Sequence, residues 1–305
     1  MVYITRKGAR FWISWSYDLE VSNLRTAQDI IDQLKKAEEE VQLQMVVGMD
    51  VGVVKPIALS NQQTLGFTKN EENALSKKLK RRLQYQRALS RKKEMAKKNK
   101  KTVGKNYQKM KSKLSDKHAK IAHIRINMAH RVSKIVAEET PEIVVCEKLQ
   151  IKNMTQRPKA KQDPTIGKWL PNGARRKAGL NKSILNVAWG RIINYTKYKM
   201  SERDKLLVEM PPAYSSQECL LCGYIDSDNR ASQQEFKCLS CGHEDNADFN
   251  SSKVLKHRFI KQLRADTFVL PTKTVVRIAF RKQKAARTAV PVCGADIRPT
   301  LVGSG

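Results

Sequence analysis

The chain has 305 residues, enough to bury one large core or two modest ones. Lys and Arg number 59 against 29 Asp and Glu, a formal net charge of +30. That surplus calls for a polyanion, and nucleic acid fits it best; a basic membrane-surface protein is the competing reading, but no amphipathic anchor, lipidation signal or apolar run of about 18 residues accompanies the charge.

Residues 1–20 alternate apolar and polar positions around a Lys7-Gly8 turn, with Val2 and Ile4 before it and Phe11, Ile13, Trp15 and Tyr17 after it. The pattern predicts a β-hairpin, and a hairpin needs something packed on it to be stable. A chain that opens inside a strand points to a preceding region that has been lost. The same opening lacks the apolar centre of a secretory signal. Residues 24–43 predict one helix from Leu24, Ile30, Ile31 and Leu34, with a charged face between them. That helix forms a linker (21–44) between the hairpin (1–20) and the core.

A short apolar run over 45–49 predicts a buried strand ending at Asp50. After Val51-Gly52 the chain resumes as strand over 56–60 and again over 64–68. Strand, turn, strand, strand is the antiparallel opening of an RNase H-like mixed sheet, so an α/β class is expected.

Between Lys77 and Lys120 stand 19 Lys or Arg and two acids, Glu94 and Asp116. A charge run is usually a solvated face or a disordered tail. Here Leu75, Leu79 and Leu83, then Leu114, Ile121, Ile124, Met128, Val132 and Ile135, recur at helical spacing, with a turn over 97–104. The expectation is a basic helical insertion (70–140) whose cationic side meets phosphate.

Pro141 stops the second helix, and the run EIVVC over 142–146 predicts a second buried strand ending at Glu147. Residues 150–182 are basic, carry Pro and Gly without periodicity, and read as a mobile loop. A helix over 183–200 and a strand over 206–209 come next. The first part of the core thus spans 45–205.

Cys219, Cys222, Cys238 and Cys241 form two Cys-x-x-Cys turns 15 residues apart, each followed by a glycine, Gly223 or Gly242. This spacing suits one structural zinc held by four thiolates in a ribbon over 206–247. Two disulfides, or four unrelated buried thiols, are the alternatives. Only Cys146 and Cys293 remain. Free thiols beside a zinc array suit a reducing compartment, so a cytoplasmic location rather than secretion is expected. Residues 248–264 predict a last helix, and 265–305 lack a continuous pattern and read as a disordered tail.

In an RNase H-type sheet the first and fourth strands lie side by side in parallel, which sets their C-terminal ends about 5 Å apart. Asp50 and Glu147 both end such strands, and Asp248 opens the final helix across the same edge, where the positive helix end favours its ionised form. Crowded carboxylates repel unless cations neutralise them, and two Mg²⁺ would serve, activating water and stabilising a leaving 3′ oxygen. Asn250 is placed to orient a ligand, and Arg230 to reach the scissile phosphate. Taken singly the acids have plainer readings as a turn former, a solvated strand end and a helix cap. Their joint placement argues for chemistry.

With these residues assembled, the chain resembles the TnpB/OrfB family of transposon-encoded proteins, relatives of miniature type V CRISPR nucleases. Gly48-Met49-Asp50-Val51-Gly52 is similar to the family's first RuvC motif, and Val144-Val145-Cys146-Glu147-Lys148-Leu149 to its second. The stretch from Pro212-Ala213-Tyr214 through Asn246-Ala247-Asp248-Phe249-Asn250 resembles its zinc ribbon running into the third motif, and Pro291 to Pro299 resembles family C-termini. The resemblance implies an Mg-dependent RuvC-type DNA endonuclease of a kind long called transposase. It would be guided by RNA from the transposon end to a DNA target, where base pairing reads the sequence. It also implies a wedge barrel and a helical recognition domain ahead of the first motif. Only 49 residues precede Asp50, so an N-terminally truncated member is expected, its opening hairpin a remnant of that barrel. A catalytically inactive nucleic-acid binder or guided repressor from the same family is the alternative. A zinc-ribbon module of the transcription machinery would leave Asp50 and Glu147 unexplained.

Overall fold

The computed structural model describes residues 2–7, 10–15 and 25–270. β1 (Val2–Lys7) and β2 (Arg10–Trp15) pair antiparallel, from Val2 opposite Trp15 to Lys7 opposite Arg10. The turn and the rest of the expected hairpin fall outside the described residues, as do 271–305 of the expected tail, Cys293 included.

The single helix expected over 24–43 is two helices, α1 (Ala27–Lys36) and α2 (Glu39–Met45). Thr26 and Asp29 open α1 as a capping box: the Thr26 hydroxyl accepts from the Asp29 N–H at 3.1 Å, and the Asp29 carboxylate accepts from the Thr26 N–H at 2.6 Å. The helix stops at Ala37, whose backbone is extended. Buried Gln42 fixes the break by donating to the carbonyls of Leu34 at 2.9 Å and Ala37 at 3.1 Å. A glutamine satisfying helix-end carbonyls gives no periodic signal, so the break was invisible in the apolar pattern.

The next elements are β3 (Val46–Asp50), β4 (Ile57–Leu59), β5 (Thr64–Leu65), α3 (Lys69–Lys98), α4 (Lys105–Glu139) and β6 (Ile143–Glu147). The expected unstructured loop over 150–182 instead contains α5 (Ile151–Met154), the short hairpin of β7 (Lys161–Gln162) and β8 (Trp169–Leu170), and the start of α6 (Ala174–Val187). The helix expected over 183–200 is broken at Ala188, which is left-handed at φ 61°, and continues as α7 (Trp189–Ser201). β9 (Leu206–Met210), β10 (Glu235–Lys237), β11 (Glu244–Asn246) and α8 (Ala247–Arg264) complete the order. Among the described residues no helix is long and apolar enough to cross a membrane.

The described residues divide into two compact units, one holding β1, β2 and residues 80–120, the other residues 25–79 and 121–270. The second contains a five-stranded mixed sheet in the order β5-β4-β3-β6-β9, antiparallel from β5 to β3 and parallel from β3 to β9. Parallel strands are buried on both faces, which accounts for their unbroken apolar runs. Val47, Met49, Val144, Cys146 and Leu207 face the helices α4, α6 and α7. Val46, Ile143, Val145, Leu206 and Val208 face α1 and α8. The result is a three-layer α/β arrangement whose alternate strand positions serve opposite cores. Gly48 lets α8 lie directly on β3: a Cβ there would stand 1.7 Å from the Ser252 carbonyl oxygen.

Candidate active site and metal centre

Asp50 is the last residue of β3 and Glu147 the last of β6. These strands pair in parallel with Met49 opposite Cys146, so one further step sets the two acids beside each other at the same sheet edge. Asp248 is the second residue of α8, whose N-terminus Asn246 caps by accepting from the Asp248 N–H at 3.2 Å. Since Gly48 brings α8 against β3, the helix start arrives at the strand ends. Asp50, Glu147, Asp248, Arg230 and Lys55 all line one cleft of about 310 Å³. The Arg230 guanidinium stands 3.6 Å from the Asp248 carboxylate and also donates to the Gln233 carbonyl at 3.0 Å.

Burial pushes the Asp50 carboxyl up to about 8; Glu147 and Asp248 add to the shift and Arg230 opposes it. Glu147 is raised by burial against the opposing pull of Ser215, Arg258 and Arg230. Burial also raises Asp248, against Arg230 and Lys55. Burial thus opposes the ionised form that the helix end was expected to favour. Half-buried carboxylates that disfavour one another are a donor set suited to hard divalent cations.

Supports of this cleft lay outside any sequence pattern. Buried Ser215 donates its hydroxyl proton to Glu147, with the Pro212 carbonyl 3.2 Å from the same oxygen. The Trp189 indole N–H donates to the Gly52 carbonyl at 2.8 Å, fixing the turn that leaves Asp50. Serine and tryptophan at such sequence distances carry no spacing rule, so nothing in the chain announced them. Asn250 is corrected: it is fully buried, donates to the Glu218 carbonyl at 2.8 Å and accepts from the Leu220 N–H at 3.3 Å. It staples α8 to the start of the cysteine array. Arg258 reinforces the joint through Glu218 at 2.7 Å and the Ala213 carbonyl at 2.7 Å.

The four cysteines converge. Their sulfurs all lie within 4.8 Å of one another, and among the described residues they are the one group of metal-binding side chains this close. Sγ to Sγ is 3.6 Å for Cys219 and Cys241 and 3.5 Å for Cys222 and Cys238, far beyond a disulfide bond. Each turn repeats one backbone pattern: Gly223 N–H to Cys219 O at 2.9 Å and Cys219 N–H to Tyr224 O at 2.9 Å, then Gly242 N–H to Cys238 O at 3.0 Å and Cys238 N–H to His243 O at 2.8 Å. Both glycines sit at φ 73°, a conformation glycine adopts without strain. Such spacing suits a tetrahedral ion about 2.3 Å from each sulfur, so the array is a candidate metal site.

Residues 16–157, which include Asp50 and Glu147, match the family model OrfB_IS605, described as a probable transposase. Residues 189–255, which include the cysteines, Arg230 and Asp248, match the Cas12f1-like TNB domain. A putative RNA-guided DNA endonuclease, InsQ, of Escherichia coli (strain K12) is 35% identical over 208 residues, 68% of this chain and 47% of that protein. The CRISPR-associated endodeoxyribonuclease Cas12f1 of Sulfoacidibacillus thermotolerans is 40% identical over 70 residues, 23% of this chain and 17% of its own. A solved Cas12f1-sgRNA-target DNA complex overlaps at TM-score 0.45 and 19% identity, covering 69% of this chain and 38% of that one. The sequence matches thus make the chain similar to a probable transposase over its first half and to Cas12f1-like proteins over its cysteine array. The two matched stretches, 16–157 and 189–255, are similar to the OrfB_IS605 probable-transposase and Cas12f1-like TNB families and together take up most of the chain. It spans less than half the length of the curated relatives it matches.

Proposed function

We propose that the chain is an Mg-dependent DNA endonuclease of the RNA-guided TnpB type, with Asp50, Glu147 and Asp248 as its catalytic carboxylates. The sheet and α8 would form an RNase H-like, RuvC-type core over 45–205 and 248–264, and residues 206–247 a ribbon holding one structural zinc. The observation that carries the reading is the meeting of Asp50, Glu147 and Asp248 in one cleft, drawn from two adjacent parallel strand ends and a helix start.

Two divalent ions bound there would supply Lewis-acid activation of water and charge stabilisation at the leaving oxygen of a phosphodiester. Three carboxylates on one cleft offer enough oxygen ligands for two such ions about 4 Å apart. Ser215 holds Glu147 in place, and Trp189 holds the turn after Asp50. Arg230 and Lys55, on the cleft wall, offer positive charge to a phosphate entering it. The similarity to InsQ and Cas12f1 supports a guide RNA and a DNA target as partners, and the proposed source of the guide is the transposon end. The cations of residues 77–120 would hold nucleic-acid backbone.

The test is plasmid cleavage by the 305-residue protein with its flanking RNA in Mg²⁺. Cutting is expected, and Asp50→Ala should abolish it while leaving DNA binding intact. Equal cleavage by Asp50→Ala would overturn the assignment. Binding by wild type without any cleavage would select an inactive member of the family.

A further inference from the structure

The hairpin of β7 and β8 holds a group of residues that neither the fold nor the cleft uses. Trp169 is 71% exposed, with Ile166 at 64% and Leu170 at 44% beside it. Large apolar side chains gathered on one short hairpin mark a contact surface rather than chance exposure. The hairpin is built rather than loose. Asp163 and Lys168 join across it at 2.8 Å through the backbone, and Gly167 makes the turn at φ 67°. The Asp163 carboxylate accepts from the N–H groups of Thr165 at 2.9 Å and Ile166 at 3.3 Å. At its base Asn172 donates to the Lys159 carbonyl at 2.9 Å. The Trp169 indole makes no ring contact among the described residues.

The surroundings define what kind of surface it is. Residues 151–182 contain nine Lys or Arg and one acid, Asp163. Arg157, Lys159, Lys161 and Lys168 are exposed on or beside the hairpin, and Arg175 and Arg176 lie just beyond it in the chain. Among the described residues none of these six forms an ion pair. A protein partner for three apolar side chains would ordinarily meet a neutral or mixed rim; an unpaired cationic rim suits phosphate. An exposed indole inside such a rim is the arrangement with which proteins take single strands, one base stacking on the ring while cations track the backbone. Paired bases keep their faces inside the duplex, so the ring has nothing to stack on there.

We propose that the β7–β8 hairpin is a binding surface for single-stranded nucleic acid, in which Trp169 stacks on an unpaired base and the flanking lysines and arginines hold its phosphates. This deepens the reading of the chain as a nucleic-acid enzyme by naming a strand state and a contact residue that the carboxylate cleft does not supply.

The full chain would be titrated without Mg²⁺ against a fluorescent oligo-dT and, separately, a duplex of equal length, at several salt concentrations. Trp169→Ala should weaken oligo-dT binding roughly tenfold, the usual effect of removing one stacking ring. Its duplex affinity and its salt slope should stay unchanged, because no phosphate contact is lost. Trp169→Phe should recover most of the loss. Equal oligo-dT affinity in Trp169→Ala would overturn the proposal, and so would an equal loss on duplex. Unchanged affinity with a shift in sedimentation would instead make the hairpin a contact between copies of the chain. Asp50→Ala is the control that separates the two readings: it should bind oligo-dT as wild type does, whatever its cleavage.

Discussion

Asp50 shows how one residue's chemistry is set by others distant in the chain. Alone it is an acid before a turn. In the fold it is buried against Glu147 and Asp248, and its carboxyl is pushed up to about 8. The residue that makes this crowding possible is Gly48, which lets α8 rest on the backbone of β3. Adding one methyl group there would force helix and strand apart, because the obstructing atom is a carbonyl oxygen and not a movable side chain. Gly48→Ala should therefore lower stability by about 1–3 kcal/mol in urea unfolding and reduce cleavage further than stability alone explains. A variant as stable and active as wild type would mean that α8 is free to shift.

At the scale of elements, the cysteine array and α8 are one joint. Asn250 and Arg258 tie the helix to the first Cys-x-x-Cys turn, and β11 runs straight into the helix that carries Asp248. The array has little apolar core of its own, with Phe236 and Ala247 beside two of the cysteines, so a bound ion would supply much of its stability. We expect one zinc per purified chain, measured by elemental analysis. Cys238→Ser should release that zinc and abolish cleavage by unseating Asp248, while the sheet itself keeps its helical and strand signal in circular dichroism. Stoichiometric zinc retained by the variant would count against a four-thiolate site.

For the whole molecule, charge dominates. With a net +30, the proposed binding to nucleic acid would be driven largely by release of counterions. Affinity for DNA should fall steeply and linearly on a log–log plot against salt. Replacing six of the 19 Lys and Arg between residues 77 and 120 by Gln should flatten the slope by about 5 units. A slope unmoved by those replacements would show that other surfaces carry the phosphate contacts.

The strands ending in Asp50 and Glu147 and the two Cys-x-x-Cys turns were legible from the sequence, because each rests on a local rule: a short apolar run that stops at a charge, or a fixed ligand spacing. The long helices emerged from apolar periodicity for the same reason. What no local rule expresses is contact between distant segments. The split of α1 from α2 hangs on Gln42, the break at Ala188 on a left-handed backbone, and the hairpin around Trp169 on turn bonds from Asp163. Likewise Ser215, Trp189 and Asn250 have roles only through the partners they meet. By itself the sequence determined which groups are chemically able, since residue type and spacing fix ligand identity and charge. Tertiary structure alone decided which of them meet, because parallel pairing and the glycine-permitted approach of α8 bring residues 50, 147 and 248 to one edge.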